Sequence, residues 1–158
     1  MLWRDLLRST NRVSPTSIDN AKLLVHCRNL EINYSRGTNY IQFYGVITGS
    51  HGTPYSVMIA FTNISPDQGL SPEEMMAGKN PIPDLNSNDV QVRCNCPSYR
   101  YTGAVGNYHQ KLHTGPKFGR FIPAKTNRAG RNPNELPMVC KHIIEFMNYL
   151  VSEQLVQD

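Results

Sequence analysis

The sequence predicts an α+β fold in which a small antiparallel β-sheet is followed by a long irregular arm and a C-terminal α-helix. Residues 55–62 alternate apolar and smaller or polar side chains, which is the period of a half-buried strand. Apolar residues recur at helical spacing over 143–155. Between them, residues 97–139 show no sustained period and are rich in glycine and proline. A chain of 158 residues with this pattern predicts one domain, or one domain with an appended module.

Residues 1–17 are predicted to be an N-terminal segment with one short helix that ends near Pro15. The apolar stripe of this helix consists of Leu2, Trp3, Leu6 and Leu7. Residues 21–34 show the alternation of a strand, interrupted near Asn29. A helix over 18–27 is the alternative for the first part of this stretch.

The segment 18–93 is predicted to be an antiparallel β domain. Residues 40–47 and 55–62 are β-rich and are separated by a turn-rich connection, which favours a hairpin. Ser71, Pro72 and an acid three residues after the serine indicate the start of a short helix that reaches about Ala77. A last strand begins at Val90 and leads directly into Cys94.

Residues 94–158 are predicted to comprise the irregular arm and the C-terminal helix, in one compact unit with the β domain. A structureless insertion as long as 97–139 is unusual inside a compact domain unless its ends are fixed. We therefore expect the residues on either side of this insertion to fix its ends.

The net charge of +4 is distributed unevenly along the chain. Residues 1–92 hold seven Lys and Arg against eight Asp and Glu, whereas residues 93–142 hold nine against the single acid Glu135. Residues 143–158 hold three acids and no Lys or Arg. The arm is thus strongly basic, which favours an acidic partner, whether protein or nucleic acid.

Neither secretion nor membrane spanning is expected. Charges at Arg4 and Asp5 are unlike the start of a signal peptide. The longest apolar runs, such as residues 57–61, are far shorter than the roughly 20 residues that cross a bilayer.

Two short motifs bracket the arm: Cys94-Asn95-Cys96 before it, and Cys140-Lys141-His142 after it. On an extended strand, residues i and i+2 point to the same side, so Cys94 and Cys96 can share one metal ion. Cys140 and His142 can converge in the same way only where a helix begins, because a regular helix would separate them by about 200°. Zinc in structural sites takes four such ligands. We therefore predict a structural Zn²⁺ held by Cys94, Cys96, Cys140 and His142, which would also fix both ends of the 43 residues between the motifs.

Other readings of these residues stay open. A disulfide from Cys94 or Cys96 to Cys140, or plain burial of free thiols, would explain the same cysteines. Cys27 is expected to be a small buried strand residue and His51 a solvated turn residue. His109 and His113 have i,i+4 spacing, but the neighbouring glycines argue against the helix that a shared metal would need.

The CxC and CxH motifs are similar to those of the SWIM-type zinc finger, and the resemblance implies Cys94, Cys96, Cys140 and His142 as its ligands. A narrower resemblance, covering roughly 20–150, is to small structural proteins of tailed bacteriophages. It rests on NAK at 20–22 through NYSR at 33–36 followed by a hairpin, and on VRCNCPSYRY at 92–101, KFG at 117–119, RNP at 131–133 and VCKHI at 139–143. The ligand gap is longer than in ordinary SWIM fingers, which weakens the implication of nucleic-acid binding.

The resemblance implies a non-enzymatic virion component of the head, neck, tail or baseplate, assembled in the host cytoplasm. Its partners would be other virion proteins in a symmetric assembly, with no membrane and no small-molecule substrate. The alternative is nucleic-acid binding by the basic arm, whose aromatic residues suit single strands. These are Tyr99, Tyr101, Tyr108, Phe118 and Phe121. A metal hydrolase is the third hypothesis, but no catalytic residue is predicted, because four protein ligands leave no open coordination position.

Overall fold

A four-stranded antiparallel sheet forms the centre of the computed structural model of this protein. Its strands lie side by side in chain order. They are β1 (Cys27–Ser35), β2 (Tyr40–Thr48), β3 (Pro54–Phe61) and β4 (Val90–Cys94). With the helices described below, including one at the C-terminal end, this confirms the predicted α+β class.

The structure describes residues 1–23, 25–49, 51–116, 118, 132 and 134–158, with only the backbone at Val105. Much of the arm after residue 116, including Phe121, therefore lies outside the described residues. No helix in the described ranges is both long and apolar enough to cross a membrane.

The predicted hairpin is confirmed. Strands β2 and β3 pair in one continuous register from Ile41 opposite Phe61 to Thr48 opposite Pro54. Alternate residues of both strands, including Phe43 and Ile59, are buried on one face of the sheet. This period of two is what the sequence pattern required.

The C-terminal helix α5 (Lys141–Ser152) covers the buried face of the sheet, as its apolar spacing predicted. Phe146, Met147 and Leu150 are almost fully buried on it. The helix lies so close to β2 that a methyl group at Gly45 would be 2.7 Å from Cε2 of Phe146. Gly45 therefore allows helix and sheet to meet at this point.

Strand β1 starts later than the sequence indicated. We expected it from Ala21, but it begins at Cys27. The backbone of Lys22 is bonded to α5 instead: its N–H donates to Glu145 and its carbonyl accepts from Asn148, each at 3.2 Å. The predicted interruption is present as a register shift between Arg28 and Glu31.

Two helices precede the sheet. The predicted N-terminal helix is α1 (Trp3–Val13), which buries Trp3 and Leu6. Pro15 then occupies the first position of α2 (Pro15–Asp19), so the chain turns there and continues as a second helix. In the described part of this stretch, residues 20–23 and 25–27 are not helical, so the alternative helix over 18–27 is absent there.

The short helix α3 (Pro72–Met76) is confirmed together with its start signal. The hydroxyl of Ser71 accepts from the N–H of Glu74 at 3.2 Å, and the Glu74 carboxylate accepts from the N–H of Ser71 at 3.1 Å. This reciprocal pair is a capping box.

The beginning of the arm is helical, which the sequence analysis did not predict. A π-helix (Tyr99–Gly103) continues directly into α4 (Ala104–His109). Glycines in this stretch argued for irregular structure, but Gly106 has a packing role: a methyl group there would lie 2.7 Å from the carbonyl oxygen of Leu136. The helix ends at His109 and does not extend to His113, so the helix that a metal shared by the two histidines would need is not formed.

Candidate metal centre

The first ligand pair lies where the last strand ends. Cys94 is the final residue of β4, and Cys96 follows in a turn that leads into the π-helix. The N–H of Cys96 donates to the sulfur of Cys94, and the N–H of Tyr99 donates to the sulfur of Cys96, both at 3.4 Å. Backbone donors aimed at sulfur favour the thiolate form that a metal needs.

The second pair lies at the start of α5, as the spacing predicted. Cys140 is the N-cap residue and still has an extended conformation, with φ −83° and ψ 167°. His142 is the second residue of the helix, and its Nδ1 lies 4.0 Å from the Cys140 sulfur. The change of backbone conformation between the two residues lets their side chains converge.

The structure brings the two pairs together. One ligand atom from each of Cys94, Cys96, Cys140 and His142 lies within 4.8 Å of all the others, and all four residues are buried. No disulfide forms among the cysteines. In a tetrahedral zinc site with Zn–S bonds of about 2.3 Å, sulfur atoms lie about 3.8 Å apart, so this cluster has the size and donor set to hold one metal ion.

The imidazole of His142 is buried and presents Nδ1 to the cluster. Nε2 of His142 is buried and has no hydrogen-bond partner in the part of the chain that the structure describes. The imidazole packs on the ring of Tyr55, with centroids 4.6 Å apart.

The three thiols do not ionise alike. Burial raises the pKa of Cys94 and of Cys140 well above the usual range. The pKa of Cys96 is lowered instead, because its sulfur accepts hydrogen bonds from Cys140 and then from Cys94. A divalent cation that binds here therefore displaces thiol protons, and its affinity rises with pH.

Cys27 lies outside the cluster, as expected. It is the first residue of β1, is half-buried, and has its thiol pKa raised by desolvation. Its sulfur lies against Gly45. Cys27 thus behaves as a packing residue and serves below as a control.

The remaining histidines do not form a second cluster in the described ranges. His109 ends α4 and pairs with the carboxylate of Glu135 at 3.0 Å. His113 lies beyond the helix and hydrogen-bonds through Nδ1 to the hydroxyl of Tyr99 at 2.9 Å. His51 is exposed in a turn, as predicted.

The basic residues near the ligands contact an aromatic ring. The guanidinium groups of Arg93 and Arg100 lie 4.1 and 5.2 Å from the ring centroid of Phe118. Tyr99 is fully buried and donates its hydroxyl hydrogen to the carbonyl of Val92 at 3.0 Å. Of the aromatic residues in the arm, Tyr99 thus belongs to the core, and Phe118 is engaged by two cations.

Sequence reasoning missed the residues that support the ligands. Asn107 is fully buried and binds the backbone of Met138, two residues before Cys140. The hydroxyl of Thr10 accepts from the N–H of Val139. Asparagine in a glycine-rich stretch is typical of turns, so the sequence held no signal for this role.

Comparison with known proteins gives no relative on which to build. No protein-family model, curated protein or solved structure matches this chain.

Proposed function

We propose that this chain is a non-enzymatic structural protein of a tailed-phage virion, stabilised by one structural Zn²⁺. The observation that supports the metal site is the buried cluster of three cysteines and one histidine. It joins the end of β4 to the start of α5, so a bound ion would connect the sheet to the helix that covers it.

The donor set supports zinc. Three thiolates and an imidazole are soft to intermediate ligands that select zinc over magnesium or calcium, and tetrahedral Cys₃His is a standard structural zinc set. The four donor atoms lie close enough for a single ion. When bound, zinc supplies cross-linking here, because it holds together two segments that 43 residues separate in sequence.

The same cluster argues against catalysis. A catalytic zinc keeps one coordination position for water or substrate, whereas four protein donors complete the tetrahedron. All four donors are buried, and the cluster contains no carboxylate that would act as a base. Glu135, the acid of the arm, is about half exposed and is paired with His109.

The place in a virion rests on the resemblance of the motifs to tailed-phage structural proteins. The charge of the arm is compatible with it. Residues 90–134 contain no Asp or Glu, so Arg93 and Arg100 have no acid on their own segment to neutralise them. Their guanidinium groups both lie on Phe118, so this part of the arm presents two positive charges close together to an acidic neighbour.

Particle analysis tests this role. Phage particles that encode the chain are purified, washed at high salt and analysed by quantitative mass spectrometry together with metal analysis. We expect the chain in a fixed copy number that reflects particle symmetry, with one zinc per copy. Absence of the chain from washed particles would contradict the virion role, and absence of zinc from the pure protein would contradict the metal site.

Replacing Arg100 by glutamine is expected to weaken attachment to the particle. The variant should be released at lower salt than the wild type, because one of the two cations on Phe118 is lost. Arg36→Gln is the matched control, since Arg36 is exposed on the turn between β1 and β2. Equal release of both variants would show that Arg100 does not face a partner.

Nucleic-acid binding is the other outcome of this experiment. Tyr99 is buried away from any base, and Phe118 already contacts two guanidinium groups, which argues against base stacking on these two rings. If the arm binds DNA nonetheless, the affinity of the pure protein will fall steeply with salt, and Arg100→Gln will reduce the salt slope by about 1.

A further inference from the structure

The chain reaches Cys140 through residues 136–139, which belong to no helix or strand and whose backbone groups are bonded by side chains. Asn132 binds both backbone groups of Leu136: its Oδ1 accepts from the N–H at 2.9 Å and its Nδ2 donates to the carbonyl at 2.8 Å. The carbonyl of Pro137 accepts from the hydroxyl of Ser9. Each contact satisfies a backbone group that would otherwise need water or a strand.

Asn107 makes the same pair of backbone hydrogen bonds with Met138, which is two residues closer to Cys140 than Leu136 is. Its Oδ1 accepts from the N–H of Met138 and its Nδ2 donates to the Met138 carbonyl, both at 2.8 Å. Asn107 is fully buried, so water does not compete for these bonds. The hydroxyl of Thr10 accepts a hydrogen bond from the N–H of Val139 at 2.9 Å. Cys140 is the next residue in the chain.

Asn107 also contacts the side chain that supports the first ligand pair. Its Nδ2 lies 3.3 Å from the hydroxyl of Tyr99. Tyr99 donates its backbone N–H to the sulfur of Cys96 and its hydroxyl to Val92, two residues before Cys94. One buried amide therefore lies between the segments that carry the two halves of the cluster.

We infer that Asn107 is a positioning residue that holds Cys140 and His142 in register with Cys94 and Cys96 before a metal binds. The inference rests on the proposed zinc site and names a residue that holds the ligand-bearing segments in place. Partners of this kind keep ligands in the binding geometry, so less reorganisation accompanies binding and affinity rises.

Cobalt titration of alanine variants tests the inference. Co²⁺ replaces Zn²⁺ as a coloured probe, and affinity is measured by competition with a chelator. We expect Asn107→Ala to weaken metal affinity by about 10- to 100-fold. The Co²⁺ spectrum at saturation should match that of the wild type, because the four ligands remain.

Asn132→Ala is the matched control, since it removes the same kind of contact four residues before Cys140. It should lower thermal stability with little change in metal affinity. Equal affinity of the Asn107→Ala variant and the wild type, or equal weakening by both variants, would overturn the positioning role.

Hydrogen exchange on the metal-free wild type gives a second test, which stands even if Asn107→Ala does not fold. The N–H groups of Cys96 and Tyr99 donate to cysteine sulfurs, whereas those of Met138 and Val139 donate to Asn107 and Thr10. After chelation, Met138 and Val139 should exchange more slowly than Cys96 and Tyr99. Equally fast exchange at all four would contradict the inference, whereas failure of the wild type to take up Co²⁺ would contradict the zinc site itself.

Discussion

Cys140→Ser is expected to abolish stoichiometric zinc binding and to lower the free energy of unfolding by about 5 kcal/mol or more. Cys140 is fully buried in the cluster and belongs to the second ligand pair. Zinc binding contributes about 10–16 kcal/mol in small zinc-finger peptides, which matches or exceeds the whole stability of a typical domain. Urea denaturation with and without a chelator, together with metal analysis, measures both effects.

Cys27→Ser is the control, because Cys27 is the cysteine that lies outside the cluster. It should keep one zinc per chain and respond to chelation as the wild type does. In the wild type, chelation should speed hydrogen exchange over residues 94–142 more than in β2 and β3. A chelated protein that keeps its stability and its exchange pattern would contradict a structural role for the metal.

Gly106→Ala is expected to destabilise the protein by about 2 kcal/mol, although alanine is the better helix former. The methyl group would overlap the carbonyl oxygens of Glu135 and Leu136, and backbone yields less easily than a flexible side chain. Overpacking of this kind costs about 1–3 kcal/mol, whereas relief of the helix penalty of glycine returns at most about 1. The midpoint and slope of urea unfolding of the zinc-bound protein measure the change.

The same substitution at Gly37 should have the opposite sign. A methyl group there meets nothing within 4 Å, and the φ of Gly37 is not in the left-handed region. Gly37→Ala should therefore leave stability unchanged or raise it by about 0.4–1 kcal/mol through the unfolded chain. Destabilisation of equal size by both substitutions would show that the contact between α4 and Leu136 does not fix the arm.

Local patterns predicted those parts of the fold that local physics controls. The alternation in β3 and the apolar spacing of α5 report which face is buried, and both elements formed as expected. The ligand spacing was equally informative, because an i,i+2 pair converges only on an extended backbone or at a helix start. Cys140 occupies the predicted helix start, whereas only Cys94 of the first pair belongs to the strand and Cys96 lies in a bend just beyond it.

The predictions that failed all depend on contacts between segments that are distant in the sequence. Lys22 bonds to α5 rather than to a strand, and that contact spans 123 residues of sequence. In the sequence Gly106 suggests a break in a helix, whereas in the structure it lies against the backbone of Leu136. The bonds from Asn107 to Met138 span 31 residues, so no local signal announced them. The virion role stays a prediction, because it depends on partners rather than on the fold of one chain.

The separation of the two ligand pairs also sets an order of events during synthesis. Cys94 and Cys96 emerge from the ribosome first, and 43 residues separate them from Cys140. At about 5–20 residues per second, that interval lasts roughly 2–9 s, far longer than a hairpin needs to form. The buried face of the sheet therefore stays uncovered until α5 is made, and the start of α5 also supplies the last two metal ligands. Neither the four-ligand site nor the packing of α5 on the sheet can form before residue 140 is made, so a chain truncated before it can achieve neither.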